Sequence, residues 1–495
     1  MLRIAFDNSY ARLPENLFAR LAATPVRAPA LVRLNRPLAE ELGLDPEALA
    51  SDEGVAALAG NRVPDGAEPL AQAYAGHQFG GFSPQLGDGR ALLLGEVVDR
   101  HGRRRDLQLK GSGPTPFSRV GDGRAALGPV LREYAVSEAM AALGIPTTRS
   151  LAAVTTGEPV ARETFLPGAV LTRVAASHVR VGTFQYLAAR RDLDGLRALA
   201  DHVLARHYPN SAGSDAPYRA LLAGVVARQA DLVARWLLVG FVHGVMNTDN
   251  TTVSGETIDY GPCAFLDAYD PAGVFSSIDV QGRYAYGHQP RIMLWNLTRL
   301  AETLVPLLAQ ETGNDEKAAV AVAEEVLSGF APAFEAAYGA GMRRKLGLLT
   351  EQADDMALAS RLLATMHQGT ADFTLTFRRL ADAAADPAAD GPVRDLFIDP
   401  TAYDAWAVDW RRRLADEPGD PAARRATMRA ANPWVIPRNH RIEAAIRAAV
   451  DGQDFSPFHT LVDVLASPYA EVPGREAYAD PPALDERVLQ TFCGT

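Results

Sequence analysis

The sequence predicts an α+β protein of two lobes, a strand-rich lobe followed by a mostly helical one, with helical extensions at both ends. Short strand patterns separated by glycine turns run through residues 71–176. Past that point apolar residues recur with helical spacing, most clearly over 218–242. We therefore divide the chain into an N-terminal arm packed on the body (1–70), a first lobe (71–176) and a second lobe (177–495) that includes a C-terminal extension.

The most informative segment is 238–265, which joins an apolar helix pattern to two acidic turns. It contains His243, Asn250 and Asp259, the last of which begins an Asp-Tyr-Gly triplet. In a protein-kinase-like second lobe a His-x-Asp loop supplies a base. An Asn seven residues after that His binds metal, and the Asp of an Asp-Phe-Gly-type triplet binds metal beside it. His243 and Asn250 keep this spacing, so the order of parts predicts a protein-kinase-like fold.

The position at which such a fold carries its base is Val245. The metal-binding half is therefore present, whereas the usual phosphoryl-transfer base is missing. Hard divalent cations prefer carboxylate and amide oxygens, so Asn250 and Asp259 are predicted metal ligands, with nucleotide phosphates completing the shell. Asp249 is placed to accept a proton from an attacking hydroxyl. The alternative is a polar turn followed by a hairpin. We interpret His243 as structural.

The first lobe contains two Gly-Asp-Gly-Arg turns, at 87–90 and 121–124, on either side of a predicted strand at 105–110. Singly, each is typical of a tight hairpin turn. As a pair beside a strand that ends in Lys110, they indicate loops whose backbone N–H groups meet phosphates. Lys110 is followed by Gly-Ser-Gly, but Pro116 replaces the third glycine of a dinucleotide-binding fingerprint and no helix begins there, which excludes that class of site.

A helix is predicted between Pro129, which suits a first helical turn, and Gly144, which lies just past the last. Glu133 and Glu138 both lie inside it. Either could form an ion pair with Lys110, and such a pair places the lysine amine on nucleotide phosphates. A lysine after a strand is otherwise an ordinary solvated residue, and periodicity does not choose between the two glutamates.

A hairpin with strands at 150–154 and 168–174 and a turn near Gly157 completes the first lobe. Arg173 and Arg180 follow at its end. They could be ordinary surface arginines, but a guanidinium fork suits phosphate oxygens, and a triphosphate in a net acidic protein needs local positive charge.

Composition excludes several classes of protein. The chain has 495 residues, 47% hydrophobic and 22% charged, as in a folded globular protein. Its net charge of −11 argues against nucleic-acid binding. The N-terminus lacks the basic start and apolar core of a signal peptide, and Arg235 and His243 interrupt the longest apolar helix candidate, so no membrane span is expected. Two cysteines suggest a reducing compartment. We expect a cytoplasmic monomer.

Long stretches of the chain resemble the selenoprotein O (SelO) family of protein adenylyltransferases, often called pseudokinases. The resemblance covers nearly the whole chain and is carried by FDNSYARLPENLF, AYAGHQFGGFSPQLGDGRALLLGE, LQLKGSGPTPFSRVGDGRAAL, HGVMNTDNTTVSGETIDYGPCAFLD, QGRYAYGHQP and NPWVIPRNHRIEAAI. It implies a kinase-like fold that holds ATP inverted, with the γ-phosphate buried and the α-phosphate facing the acceptor. AMP is then transferred to Ser, Thr or Tyr hydroxyls of proteins and pyrophosphate leaves.

The resemblance also implies roles for individual residues. Lys110 would hold phosphates and pair with Glu133 rather than Glu138, Arg173 and Arg180 would clamp the buried phosphate end, and Asp249 would accept the proton. Asn250 and Asp259 would bind Mg²⁺ or Mn²⁺. The nucleotide would be contacted by the two glycine turns, through Gly87, Gly89 and Arg90 and through Asp122 and Gly123.

Bacterial relatives can pair a C-terminal cysteine with a cysteine in a loop after the metal-binding Asp. Here that loop reads Phe275-Ser276-Ser277, which leaves Cys263 as the one candidate partner for Cys493, and redox control by a disulfide between them is a hypothesis.

Two other functions remain as alternatives to adenylylation. One is an ATP-dependent phosphotransferase, against which Val245 counts. The other is a non-catalytic ATP-binding module, against which the complete set of phosphate and metal ligands counts. The sequence does not choose between ATP and UTP as donor.

Overall fold

The computed structural model describes residues 2–492 and has mixed α and β structure. Its strands, labelled in chain order, are β1 (Phe18–Arg20), β2 (Ala30–Leu34), β3 (Leu70–Gln78), β4 (Gly81–Gly87), β5 (Ala91–Val98), β6 (Arg104–Lys110), β7 (Ala125–Ala126), β8 (Arg149–Ala161), β9 (Phe165–Ala175), β10 (Phe241–Val242) and β11 (Ala264–Phe265). The first nine form one antiparallel sheet, and β10 and β11 form a separate pair.

The large sheet has the order β1-β3-β5-β6-β9-β8-β2, with β4 added to β3 and β7 to β9. The central strand β6 pairs with β5 and with β9, so that Gln108 lies opposite Arg173 and Lys110 opposite Leu171. Because side chains two residues apart share a face of a strand, Lys110 and Arg173 come to the same end and face of the sheet. The strand predicted to end at Lys110 is confirmed.

The predicted hairpin is confirmed, but the predicted position of its turn, near Gly157, is wrong. Strands β8 and β9 extend well beyond 150–154 and 168–174, and the reversal lies at residues 162–164. Gly157 instead lies inside β8, at φ +69°, where the pairing register shifts between Thr155 and Pro159. The glycine therefore supports an irregularity within a long strand rather than the turn.

Residues 2–69 do not lie apart from the sheet. Strand β1 pairs with β3 and strand β2 pairs with β8, so this segment supplies a strand at each end of the sheet order. Three short helices within it are α1 (Arg36–Glu41), α2 (Pro46–Ala50) and α3 (Asp52–Leu58). Asn35, Asp45 and Ser51 cap their N-termini by accepting backbone N–H groups.

The remaining helices of the described chain follow β7. They are α4 (Leu127–Ala142), α5 (Val181–Ala189), α6 (Leu193–His207), α7 (Pro217–Val239), α8 (Gln289–Glu311), α9 (Glu316–Ser328), α10 (Phe330–Leu346), α11 (Asp355–Gln368), α12 (Phe373–Ala385), α13 (Gly391–Arg394), α14 (Thr401–Ala415), α15 (Pro421–Ala431), α16 (Asn439–Gly452) and α17 (Ser456–Leu465).

Helix α4 connects the sheet to the C-terminal helices. It packs on β8 and β9 on one side and on α16 and α17 on the other. Leu127, Leu131 and Tyr134 lie three or four residues apart, which puts them on one face of the helix, and all three are almost completely buried in this layer. The helix begins and ends where Pro129 and Gly144 indicated. Helix α4 therefore holds Glu133 in a fixed position under the sheet.

Helix α7 ends at Gly240, whose φ of +76° places it in the left-handed region that favours glycine. The chain then enters β10 and the polar loop that returns through β11. Most of the helical part shares one hydrophobic core with α4 and the sheet, and α10–α15 enclose a second.

One helix in the described part of the chain, Tyr286–Glu311, is long and apolar enough to cross a membrane by length and composition alone. However, 56% of its apolar window is buried inside the protein, and Leu297, Leu300 and Leu304 lie in the main core. Core helices pass the same test, so this helix is weak evidence for a span.

Candidate active site

The candidate site is centred on the carboxylate of Asp259, where three cations meet. Lys110 Nζ lies 3.4 Å from Asp259 Oδ1 and 2.5 Å from Glu133 Oε2. Arg173 Nη2 lies 2.7 Å from Asp259 Oδ1 and 2.5 Å from Glu133 Oε1, and Arg180 Nη1 lies 2.5 Å from Asp259 Oδ2. Strand β6, helix α4, strand β9 and the start of α5 each contribute one side chain. The five predicted charged residues therefore form one network.

The glutamate that forms the ion pair with Lys110 is Glu133; the helical periodicity had not distinguished it from Glu138. Glu138 instead accepts hydrogen bonds from Arg149, from the backbone N–H of Ser150 and from Asn35. It anchors the start of β8, and Glu133 alone of the two glutamates contacts Lys110 in the structure.

The charges in this network determine each other's protonation. Burial alone would raise the pKa of Asp259, but Arg173, Arg180 and Lys110 hold that pKa well below its usual range. Burial alone would also raise the pKa of Glu133. The neighbouring Arg173 and Lys110 lower it by more, so the net effect is a decrease. Both carboxylates are therefore ionised at neutral pH, and with three cations the network carries a net positive charge that an anion could neutralise.

Asp259 also has an unusual backbone, with φ at +64°. A non-glycine residue in this region is uncommon and is tolerated best by Asp and Asn. The next residue, Tyr260, is buried and its hydroxyl is hydrogen-bonded to Thr147. The fold thus holds the Asp259 carboxylate among the cations at the expense of a less favourable backbone conformation.

A second carboxylate, that of Asp249, is buried on the other side of Arg180. It belongs to the 3₁₀ turn Thr248–Asn250, and Arg180 Nη1 donates to its backbone carbonyl at 2.6 Å. Its Oδ2 accepts a hydrogen bond of 3.1 Å from Gln78 Nε2, while Oδ1 has no hydrogen-bond donor among the described residues. Burial raises the pKa of Asp249 to about 6, against the opposing effect of Gln78. The carboxylate is thus poised to gain a further partner.

Close packing fixes this carboxylate against β3. A Cβ added at Gly76 would lie 2.5 Å from Asp249 Oδ1, so only glycine leaves room there. Two residues earlier on the same face, the ring of Tyr74 lies 4.8 Å from the Arg180 guanidinium. Tyr74, Gly76 and Gln78 therefore line the site, although the sequence analysis did not identify them. Their period of two along β3 is the signal that could have done so.

The predicted metal ligands, Asn250 and Asp259, are connected through Arg180. Asn250 donates from Nδ2 to the carbonyl of Val245 at 3.0 Å, and among residues 2–492 no donor contacts its amide oxygen. Arg180 Nη1 bridges the neighbouring Asp249 carbonyl and the Asp259 carboxylate. One amide oxygen and one carboxylate fit a divalent cation completed by phosphate oxygens. The described residues contain no cluster of three or more His, Cys, Asp or Glu that could hold a metal by themselves.

Val245 and His243 are both buried. The valine side chain has no polar group, and the polar groups of His243 bond to residues outside the charged network. His243 Nε2 lies 2.8 Å from the carbonyl of Ile258, and its backbone N–H donates to Gln289. Burial lowers the pKa of His243, so the ring is neutral. These contacts support its interpretation as a structural residue that positions the segment before Asp259.

The first glycine turn packs tightly. Gly87 has φ +145°, and a Cβ there would lie 2.4 Å from the ring of Phe117; a Cβ at Gly89 would lie 2.9 Å from the Phe117 carbonyl. Arg90 follows the turn, and its carbonyl accepts from the Gly111 N–H at 2.6 Å. Asp88, which the sequence analysis passed over, is buried and accepts from the Gln72 backbone and the Gln108 side chain. Burial raises the pKa of Asp88 to about 6.

The second glycine turn is more exposed. Asp122 forms an ion pair of 2.9 Å with Arg162, and its side chain is 43% exposed. A Cβ at Gly123 would collide with Gly113, so the two loops after β6 are in direct backbone contact. The structure therefore connects this turn to the loop after Lys110, while Asp122 itself points to a partner outside the charged network.

The predicted disulfide partners differ in how far they can be described. Cys263 is a buried free thiol whose pKa burial raises to about 11, and its Sγ lies 3.6 Å from the carbonyl of Tyr260. Cys493 lies outside the described residues. Shortly before it, Thr491 exchanges backbone hydrogen bonds with Phe275 and Ser277 and donates its hydroxyl to Pro262.

Comparison with known proteins gives one consistent result. A family model described as protein adenylyltransferase SelO matches residues 1–466. A protein nucleotidyltransferase YdiU of Rhodopseudomonas palustris is 68% identical over 490 residues and covers 99% of each chain. Proteins of the same name from Methylorubrum extorquens and Bradyrhizobium diazoefficiens are 69% and 67% identical, again over 99% of each chain. The matched regions include all of the charged network.

Proposed function

The chain belongs to the SelO family of protein adenylyltransferases, and from this premise we propose that it transfers AMP from ATP to Ser, Thr or Tyr hydroxyls of proteins and releases pyrophosphate. The observation that carries the proposal is the pair of largely buried carboxylates on either side of Arg180. One is surrounded by cations, and the other has a free oxygen. An anionic donor and a hydroxyl acceptor need these two environments side by side.

The donor would be held by the cations that now surround Asp259. A guanidinium fork binds phosphate as readily as carboxylate, so Arg173 and Arg180 can hold the phosphate chain while remaining beside Asp259 and Glu133. Lys110, kept in place by Glu133, adds a point charge. These groups stabilise the charge that develops on the α-phosphoryl oxygens and on pyrophosphate.

Asn250 and Asp259 are the residues that would hold Mg²⁺ or Mn²⁺, which supplies charge neutralisation to the phosphate oxygens when bound. The chain's own contribution is to orient the oxygens of these two side chains. Asn250 is fixed through its bond to Val245, and Asp259 through its three cations.

The acceptor hydroxyl would approach Asp249. The hydroxyl oxygen of the acceptor forms a bond to the α-phosphorus. At the same time the bond between that phosphorus and the bridging oxygen of pyrophosphate breaks. The hydroxyl proton passes to the free Oδ1 of Asp249, while Gln78 holds Oδ2. A base at position 245, which is valine here, is then unnecessary, because the proton passes to Asp249 instead.

We further propose that the sheet with α4 and the helices from α5 onward correspond to the two lobes of a protein-kinase-like fold, with ATP inverted so that its γ-phosphate is buried. The contacts of Lys110 with Glu133 and of Arg173 with Asp259 support this assignment, because they hold two largely buried cations in place and a buried phosphate end needs such charge. The cytoplasmic location, monomeric state and disulfide between Cys263 and Cys493 stay predictions.

The deciding experiment compares transfer of label to protein from ATP labelled at the α-phosphate and at the γ-phosphate, with Mg²⁺ and then with Mn²⁺. Label from the α position alone is the expected result. Label from γ alone would identify a phosphotransferase, and bound ATP without either label would identify a non-catalytic binding module. α-Labelled UTP in the same assay tests UMP transfer.

A further inference from the structure

A shallow groove lies on the surface near the turn between β3 and β4, and none of its lining residues belongs to the charged network. It has a volume of about 360 Å³ and is lined by Arg283, Arg291, Ile292, Leu294, Trp295 and Thr298. These residues come from the loop before α8 and from its first turns. We call it the Arg283 groove.

The groove is connected to Asp249 through the turn between β3 and β4. Gln78 holds Asp249, and the next residue, Phe79, donates its backbone N–H to Asn247 and to the hydroxyl of Tyr284. The rings of Phe79 and Tyr284 lie 5.1 Å apart. Arg283 precedes Tyr284, so the groove begins two short contacts away from the carboxylate that would take the acceptor's proton.

The groove is positively charged in a chain whose net charge is −11. Arg283 and Arg299 lie 4.9 Å and 5.2 Å from the ring centroid of Trp295. Among the described residues no carboxylate lies within ion-pair distance of Arg283 or Arg291, and Arg299 pairs only with Glu302 one turn further along α8. Two arginines without a carboxylate partner among the described residues, one of them packed on an aromatic ring, attract an anionic partner.

The groove also has an apolar rim. Phe79, on the turn between β3 and β4, and Phe82, the second residue of β4, are 38% and 45% exposed. His77 links this turn to the groove, because its ring lies 4.8 Å from that of Phe82 and 5.2 Å from that of Trp295. Exposed aromatic residues beside unpaired arginines are typical of the central residues of protein-binding surfaces.

We propose that the Arg283 groove is the docking site for the acceptor protein, and that it selects segments in which acidic residues and an apolar side chain flank the hydroxyl. The inference rests on the proposed function for the identity of the partner. Carboxylates of the segment would pair with Arg283 and Arg291, and its apolar side chain would cover Phe79 or Phe82. The small number of arginines at the groove favours such a peptide over a nucleic acid, which needs a broader basic face.

The test measures binding first and transfer second. Two fluorescent peptides of equal length, each with one tyrosine and one leucine, carry either aspartates or lysines around the tyrosine. Fluorescence anisotropy gives their affinity for the full chain, for the double variant R283E/R291E and for R447E. Arg447 is an exposed arginine on α16, far along the chain from the groove, and serves as the matched control.

We expect the acidic peptide to bind about tenfold more tightly than the basic one to the wild type and to R447E, and the preference to reverse in R283E/R291E. Equal affinity of the two peptides, or an acidic preference that survives in R283E/R291E, would overturn the proposal. Tighter binding of a single-stranded oligonucleotide, lost in the same variant, would assign the groove to nucleic acid instead.

Two controls separate this proposal from others. If the double variant fails to bind ATP or to fold, R291E alone replaces it, because Arg291 is exposed and has no described partner. Binding of the acidic peptide without transfer of the α-label, while the groove variants lose that binding, supports the groove and removes the proposed adenylyl transfer.

Discussion

Asp259 and Asp249 carry two largely buried carboxylates that share Arg180 but have opposite surroundings. Asp259 is held by three cations, which keep its pKa well below the usual range. Asp249 has one neutral donor, Gln78, and burial raises its pKa to about 6. The difference shows how one short loop can place a permanent negative charge near a second carboxyl group whose pKa is raised toward neutrality. Each substitution below changes one of the two carboxylates or its hydrogen-bond donor.

The largest effect is expected from Asp249→Ala. Without a proton acceptor, AMP transfer should fall by about 10²- to 10⁴-fold, while ATP affinity stays unchanged because the phosphate-binding cations remain. Transfer of α-label and isothermal titration with ATP measure the two quantities. Unchanged labelling would remove Asp249 from the role of base.

Asp259→Asn should destabilise the metal-free protein by about 3–5 kcal/mol at pH 7, because Lys110 and Arg173 then share only Glu133 and Arg180 loses its one carboxylate partner among the described residues. Asparagine tolerates the positive φ of this position, so backbone strain does not confuse the result. Denaturant unfolding in the presence of a chelator measures the change. A variant as stable as the wild type would mean that the cations do not depend on this carboxylate.

Asp249→Asn should have the opposite sign and stabilise the metal-free protein by about 2–3 kcal/mol at pH 7. Since the folded pKa lies above the unfolded value, the wild type binds more protons when folded and loses stability as pH rises from about 4 to about 6. The advantage of the variant should therefore shrink below pH 6 and vanish near pH 4; denaturant unfolding across this range measures it. A pH-independent difference would contradict the raised pKa.

The smallest effect is expected from Gln78→Leu, which leaves Asp249 without its hydrogen-bond donor. We expect kcat for AMP transfer to fall about tenfold with ATP affinity unchanged, and the acidic limb of the rate profile to move to higher pH, since Gln78 lowers the pKa of Asp249. A loss of ATP affinity with kcat intact would show a structural role instead.

The charged network could be predicted from the sequence because its residue types and spacing carry the chemistry. Lys110 ends a strand, and Asn250 and Asp259 follow His243 at fixed distances. The choice between Glu133 and Glu138 could not be made, because both fall inside the same helix. It depends on the tertiary contacts of Glu138 with Arg149 and Ser150.

The second carboxylate's surroundings could not be predicted in the same way. Strand β3 is buried for most of its length, so its period of two shows that Tyr74, Gly76 and Gln78 share a face but not that this face lines the site. The placement of β1 and β2 was missed for a related reason. Their pairing partners lie far along the chain, and no local pattern in residues 1–70 specifies them.

The position of β1 and β2 at the two ends of the sheet has a consequence for synthesis on the ribosome. Ala30 lies opposite Thr155, so β2 must wait for a partner that emerges 125 residues later. Until then the strand has no ladder to join, and such non-local pairing slows folding. A chain lacking the residues before 35 would conversely leave the flanks of β3 and β8 without β1 and β2, as open templates for pairing with other chains. The earliest segment to be translated thus supplies the short outer strands of the finished sheet, and short edge strands are poorer templates for pairing with other chains.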